Sequence, residues 1–314
     1  MKVGLYSISC SGTWYNDRPA LTVEQFIDTA KKYGYEGVEI DLKRPHGSPL
    51  DLTTARCQEI KAYAAKQGLE ICGVAGNNNF TSPVPEHIEN ELLMVREQIR
   101  VAKDLGAPVL RLFVSWRGIT MRNGIATYEV TAKHHTYYDA VDYELRQRAV
   151  TCFKECCQWA EESGVILALQ NHHPIIETYV DMLDFVKWVD SPYFRCAFDV
   201  PCLGWKNPEF QSDAYVEKAV REVGDLQMIS HANAEFVENP DGSISMVSFD
   251  PNVQPILTNY PAFIRALKQV GYQGYINYEF CHMPFRDGQV LGYAYIEKQI
   301  GLAQRYFSDL IANA

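Results

Sequence analysis

Short apolar runs and longer amphipathic stretches alternate along this chain from one end to the other. The runs are Lys2–Ser7, Gly37–Asp41, Leu69–Gly73, Pro108–Val114, Ile166–Gln170, Phe194–Asp199, Leu226–His231 and Tyr275–Glu279. Each has the length of one strand, and most are apolar nearly throughout, as strands covered on both faces are. Between them, apolar residues recur at helical spacing over 21–33, 53–67, 86–105, 142–163, 178–189, 213–223, 261–270 and 293–311. In the first of these, Phe26, Ile27 and Ala30 form one stripe. Thr22 stands where an N-cap belongs, and Gln25 three residues later completes a capping-box pattern. Gly68, Gly106, Gly164, Gly224 and Gly271 follow their stretches where a helix C-terminus favours a left-handed residue.

Strands alternating with helices predict a parallel sheet. Eight such units within 314 residues predict a single (β/α)8 barrel over 1–314 rather than an open sheet. No Gly-x-Gly-x-x-Gly or Walker pattern follows the first run, which argues against a nucleotide-binding sheet. No Gly-rich phosphate loop follows the seventh or eighth run. The segments 115–141 and 232–259 exceed ordinary βα loops and are expected to be functional lids.

Composition narrows the partners. The chain is 47% hydrophobic and 22% charged, with a formal net charge of −10 and no long acidic or basic block. That balance excludes the basic footprint of a nucleic-acid binder. No apolar run reaches the roughly 18 residues that a membrane helix needs. The N-terminus enters a strand-like run at once, without a signal-peptide pattern, so a cytoplasmic location is expected. Nine cysteines, an odd number, argue against a disulfide framework. Cys152, Cys156 and Cys157 are read as small buried hydrophobes.

The polar residues that end the apolar runs carry the chemistry. In a parallel barrel all strand C-termini open onto one face. Asp199, His231 and Glu279 end the last three runs, and two carboxylates with an imidazole suit a divalent metal. A capping role for Asp199 is disfavoured because the next amphipathic stretch starts only at Asp213. His231 has a competing reading as a satisfied core histidine, whereas a Glu at the depth of Glu279 is costly unless paired or metal-bound. Gln170 ends the fifth run. Its amide oxygen can bind a hard cation but brings no charge, and it competes with a reading as a supporting hydrogen bonder. Of the neighbours His172 and His173, which must diverge, His172 is assigned to the cavity. Lys43 and His46 follow the second run, His46 as a candidate base. Asn77, Trp116, Arg117, Asn171 and Trp205 complete the expected substrate contacts.

Gly37-Val-Glu-Ile-Asp41, Leu167-Ala-Leu-Gln-Asn-His172, Ala197-Phe-Asp199, Ser230-His231 and Tyr278-Glu279 resemble the strand ends of the xylose isomerase-like barrel family. That family includes sugar isomerases, ketose 3-epimerases, inosose dehydratases and the α subunits of C-glycoside deglycosidases. The resemblance spans nearly the whole chain. It implies Glu, Asp, His and Glu from strands five to eight around Mn²⁺ or a similar ion, with Mg²⁺ or Co²⁺ as alternatives. The last three map onto Asp199, His231 and Glu279, and Gln170 stands where the first carboxylate is expected. It also implies proton abstraction beside the carbonyl of a keto sugar. Family epimerases resemble two-base machines, and Gln170 does not titrate in the useful range. A lyase needs one base only, so the favoured expectation is a C-glycoside deglycosidase. In it His46 or His172 would take the C2 proton of a 3-oxo-glycoside while the bond from C1 to the aglycone breaks. The alternative is an isomerase or epimerase of a free ketose, and a third reading is a barrel that only binds sugars. The deglycosidase branch further implies a small β-rich partner subunit, with a homo-oligomer as the other assembly.

Overall fold

The computed structural model describes residues 1–116, 118–122, 124–127, 142–203, 207–247, 258–286 and 288–314. Eight parallel strands close into a barrel: β1 Lys2–Tyr6, β2 Gly37–Asp41, β3 Glu70–Ala75, β4 Val109–Leu112, β5 Ile166–Gln170, β6 Phe194–Ala197, β7 Gln227–Ala232 and β8 Tyr275–Tyr278. Each pairs with its sequence neighbours, and β8 closes on β1 through Gly4↔Asn277 and its flanking pairs. Helices α1 Val23–Tyr33, α2 Thr54–Gln67, α3 Pro85–Leu105, α4 Asp142–Ser163, α5 Tyr179–Val189, α6 Asp213–Val223, α7 Tyr260–Gln269 and α8 Tyr293–Asn313 alternate with the strands. The main core includes Phe26, Ile27, Phe153, Phe185, Phe263 and Phe307 from these helices, all fully buried.

Local signals act as the pattern predicted. Thr22 Oγ1 accepts the Gln25 amide at 3.2 Å, and Gln25 Oε1 accepts the Thr22 amide at 2.9 Å. The apolar runs reach the strand ends within a residue or two. Ser7 leaves β1 for a short 3-10 turn, and Asp199 and Glu279 lie just past β6 and β8. The expected lids begin as antiparallel hairpins, Thr120–Arg122 with Ile125–Thr127 after β4 and Glu235–Glu238 with Ile244–Val247 after β7. A third hairpin, Phe285–Arg286 with Gln289–Val290, follows β8. Buried Glu235 joins the last two. It accepts from His282 Nε2 at 2.9 Å, from Tyr295 Oη at 2.8 Å and from Arg286. Among the described residues no helix is long and apolar enough to cross a membrane. All nine cysteines are free thiols.

The barrel interior is layered by the two-residue period of its strands. Val109, Ala168, Ala197, Ile229 and Tyr275 share a small buried cluster with Cys72. Two residues further along the same chain segments stand Arg111, Gln170, Asp199, His231 and Asn277, all buried and all polar. An apolar floor thus carries a polar layer toward the C-terminal face. Space for that layer depends on β1, because a Cβ on Gly4 would lie 1.9 Å from Asn277 Oδ1. Gly4→Ala should therefore displace the Asn277 amide and destabilise the fold by about 1–3 kcal/mol, the usual cost of overpacking. Equilibrium denaturation checks this, and an unchanged midpoint would contradict it.

Candidate active site

Asp199 and His231 meet because β6 and β7 are neighbours and the Asp199 carboxylate folds back onto the next strand. Its Oδ1 accepts the His231 backbone amide at 2.6 Å, and Ser230 Oγ lies 3.4 Å from the same oxygen. Asn171 fixes the Asp199 backbone from the other side. Its Oδ1 accepts the Asp199 amide at 2.7 Å, and its Nδ2 donates to the Asp199 carbonyl at 2.9 Å. Asn171, expected to touch substrate, is thus engaged in holding Asp199. Glu279 follows β8, where its amide bonds the Ala232 carbonyl of β7 at 2.9 Å. His231 Nδ1 then lies 3.8 Å from Asp199 Oδ2 and 3.7 Å from Glu279 Oε2.

The other ring nitrogen points at a residue that sequence reasoning missed. His231 Nε2 is 2.8 Å from Oε2 of Glu39, a fully buried carboxylate in the middle of β2. Asn277 Nδ2 donates to the same oxygen at 2.6 Å. Tyr6 stacks on the imidazole with ring centroids 4.9 Å apart. Burial opposes the charge of Glu39, but the His231 imidazole, Arg111 and the Asn277 amide outweigh it and hold the carboxyl below its usual range. Burial likewise opposes charging His231, yet Glu39, Asp199 and Glu279 together lift it to about 9. Asp199 is pushed up to about 7, first by burial and further by Glu279, against the pull of His231. One imidazole therefore faces three carboxylates in a space shielded from water, an excess of negative charge that a cation would relieve.

Among the described residues no set of three or more His, Cys, Asp and Glu side chains stands as a finished metal cage. The donors nonetheless fit one. Bonds of about 2.0–2.2 Å separate two ligands of one ion by roughly 3–4 Å, and the His231 separations of 3.7 and 3.8 Å fall there. Gln170 borders the same space. Its Nε2 donates to Asp199 Oδ2, while its buried Oε1 has no hydrogen-bond partner. Turning that amide over would offer the oxygen to a cation instead.

Of these groups Gln170, His231 and Glu279 line a cleft whose walls include Tyr6, Trp14, Phe113 and Trp116. Lys43, Asn77, Arg111, His172 and Cys281 also line it. Lys43 Nζ lies 3.1 Å from Asp41 Oδ2, and Asn77 Nδ2 donates to Asp41 Oδ1 at 2.8 Å, so both are held by one β2 carboxylate. Arg111 is a second missed residue. It is buried, donates to the Gly76 carbonyl at 2.8 Å and to Tyr6 Oη at 3.0 Å, and lies 4.0 Å over the Phe113 ring. The signal for Glu39 and Arg111 was present in the runs Val-Glu-Ile and Leu-Arg-Leu. A charge between apolar neighbours in a buried strand must face either a partner or a lumen.

The two histidines expected as bases separate. His172 lines the cleft, with Nδ1 2.6 Å from the His173 carbonyl and its ring against Trp116. Burial and the neighbouring His173 push it down to about 3, so it is neutral at physiological pH. Its Nδ1 proton is committed to that carbonyl, which leaves Nε2 as the acceptor. His46 does not reach the carboxylates. It is buried against Phe26, its Nε2 lies 3.0 Å from the Leu21 carbonyl, and it is not part of the cleft wall. The turn that binds the His46 and Gly47 amides to the Lys43 carbonyl carries the side chain outward. His46→Ala should accordingly cost about 1–3 kcal/mol of stability, the penalty for a lost buried hydrogen-bonded group, while turnover stays near wild type. Loss of turnover in a variant shown to be folded would contradict this placement. Arg117 and Trp205 lie outside the described residues.

The architecture finds parallels among known proteins. Fructoselysine 3-epimerase of Shigella flexneri is 26% identical over 189 residues, 57% of this chain and 62% of that protein, so the match spans less than two thirds of the relative. D-psicose 3-epimerase from Clostridium cellulolyticum H10 superposes with a TM-score of 0.69 at 19% identity, covering 100% of this chain and 99% of the other. 3-keto-D-glucoside 4-epimerase from E. coli does so at 0.63 and 17% identity, covering 99% and 98%. Residues 27–303 match the family described as Xylose isomerase-like TIM barrel, and the chain belongs to that family.

Proposed function

We propose that the protein is a divalent-metal-dependent isomerase or epimerase that moves a proton on the carbon beside the carbonyl of a keto sugar. The observation that carries this reading is the convergence of Asp199 and Glu279 on Nδ1 of His231, with His231 and Glu279 lining an aromatic-walled cleft. Those three, with Gln170, would hold the ion, Mn²⁺ in the first instance. When bound, it would polarise the substrate carbonyl as a Lewis acid. Glu279 is the carboxylate of the three with access to substrate, its side chain 18% exposed against 2% for Asp199. It takes the proton from the adjacent carbon. His172, neutral and with its Nδ1 proton committed to the His173 carbonyl, offers Nε2 as a hydrogen-bond acceptor to a substrate hydroxyl. Aromatic walls suit the apolar faces of a sugar ring and exclude water, while Lys43 and Asn77 are poised on Asp41 to meet hydroxyls.

Charge balance narrows the substrate. With a divalent ion in place, it and Arg111 together offset Glu39, Asp199 and Glu279, and Lys43 offsets Asp41. Such a cleft suits a neutral sugar better than a phosphorylated one. The names of the similar proteins, two 3-epimerases and a keto-glucoside 4-epimerase, support isomerase or epimerase chemistry ahead of C-glycoside cleavage. Gln170 favours the second reading. An amide returns no proton, so a 3-oxo-glycoside that loses its C2 proton and then its aglycone remains the alternative.

One experiment separates the two. Purified protein with Mn²⁺ is incubated in D₂O with free ketoses, with 3-keto-glucosides and with 3-oxo-C-glycosides. Deuterium at the carbon beside the carbonyl together with a new epimer or isomer is the expected result. Aglycone release without epimer would transfer the assignment to the lyase. No exchange with any of the three would overturn the proton-transfer reading.

A further inference from the structure

Behind His231, away from the cleft, the barrel encloses a carboxylate that substrate does not reach. Glu39 is wholly buried, and its Oε2 accepts hydrogen bonds from His231 Nε2 at 2.8 Å and from Asn277 Nδ2 at 2.6 Å. Asn277 reaches it from β8 because Gly4 leaves the space open. The opposite end of that amide, Oδ1, lies 3.5 Å from the Cys72 thiol, whose single hydrogen also has the Val38 carbonyl at 3.3 Å. The amide and the imidazole thus both direct a donor at the same carboxylate oxygen. An ionised carboxylate only accepts, so His231 carries its proton on Nε2. In the neutral ring the lone pair is then on Nδ1, the atom that faces Asp199 and Glu279. The stacked Tyr6 ring, 18° from parallel, restrains rotation of the imidazole.

Gln170 gives the cation-binding face one carboxylate fewer than an acidic residue there would. We propose that Glu39 is a positioning residue that makes good this deficit through His231. It fixes the Nε2–H tautomer and, by polarising that N–H bond, strengthens Nδ1 as a metal donor. Carboxylates behind metal-binding histidines act in this way generally. The charge that Gln170 does not bring is stored one side chain further out, where it cannot take a proton from substrate. The inference rests on the metal reading of the site given above.

The test measures Mn²⁺ binding to the full chain by the loss of the free-ion electron paramagnetic resonance signal, for wild type, Glu39→Gln, and Glu39→Gln combined with Gln170→Glu. Glu39→Gln is expected to weaken binding about 10–100-fold, and the added carboxylate of the double variant to restore much of the loss. A Glu39→Gln variant that is folded and binds like wild type would overturn the proposal. Wild-type protein without Mn²⁺ affinity would overturn the metal reading and the proposal with it, a separate and recognisable outcome. A readout independent of variant folding is ¹⁵N-histidine NMR of wild type with Zn²⁺. Protonated Nε2 and metal-bound Nδ1 at His231 support the inference, and the opposite tautomer refutes it.

Discussion

Glu279→Gln should lower turnover by about 10²–10⁴, the usual contribution of a positioned proton-transfer group, in a protein that remains folded. Glutamine keeps the volume and one oxygen of the side chain but neither carries the charge nor accepts the proton. The barrel should tolerate it because the Glu279 backbone, not its carboxylate, bonds to β7 at Ala232. The carboxylate is also the most exposed of those around His231. Steady-state kinetics together with solvent-deuterium exchange at the reacting carbon check this. If exchange persists at the wild-type rate, Glu279 does not carry the proton.

Stripping divalent ions with a chelator should remove activity by a comparable or larger factor, about 10³ or more, since carbonyl polarisation by a bound cation contributes several kcal/mol. Returning Mn²⁺ should restore it. Gln170→Glu should keep the ion and hold it more tightly, because a further charged oxygen strengthens a hard-cation site. The amide of Gln170 already bonds Asp199, and its Oε1 is buried without a partner, so a carboxylate there would sit within reach of the same ion. Elemental analysis before and after chelation, alongside turnover, decides the matter. Full activity in demonstrably metal-free protein would end the Lewis-acid reading. Loss of metal from Gln170→Glu would show that residue 170 does not face the ion.

The pattern of apolar runs gave the barrel because each strand is short, local and covered on both faces, and most helices are stopped by glycine. Gly68 and Gly106 occupy the left-handed conformation with φ +76° and +73°, as their positions after α2 and α3 led one to expect. The closing trio Asp199, His231 and Glu279 was legible for the same reason. A polar residue ending an apolar run has to lie near the C-terminal face, whatever else the chain does.

Direction within that face was not legible. His46 and His172 both follow barrel strands, yet a tight turn at Lys43 sends His46 to the Leu21 carbonyl, while His172 stays in the cleft wall. Asn171 and Gln170 are adjacent in sequence, but one holds the Asp199 backbone and the other meets its carboxylate.

The sequence by itself determined the alternation of elements, the barrel they close into and the residues that end its strands, since periodicity and chain order decide these locally. Only the tertiary structure decided that one face of each buried strand is a lumen. Closure brings Glu39 of β2 beside His231 of β7 and Asn277 of β8, residues 192 and 238 positions away in the chain. No local pattern records such a meeting. The low-dielectric interior that makes an isolated charge costly is also what makes the paired one a strong support for its neighbour.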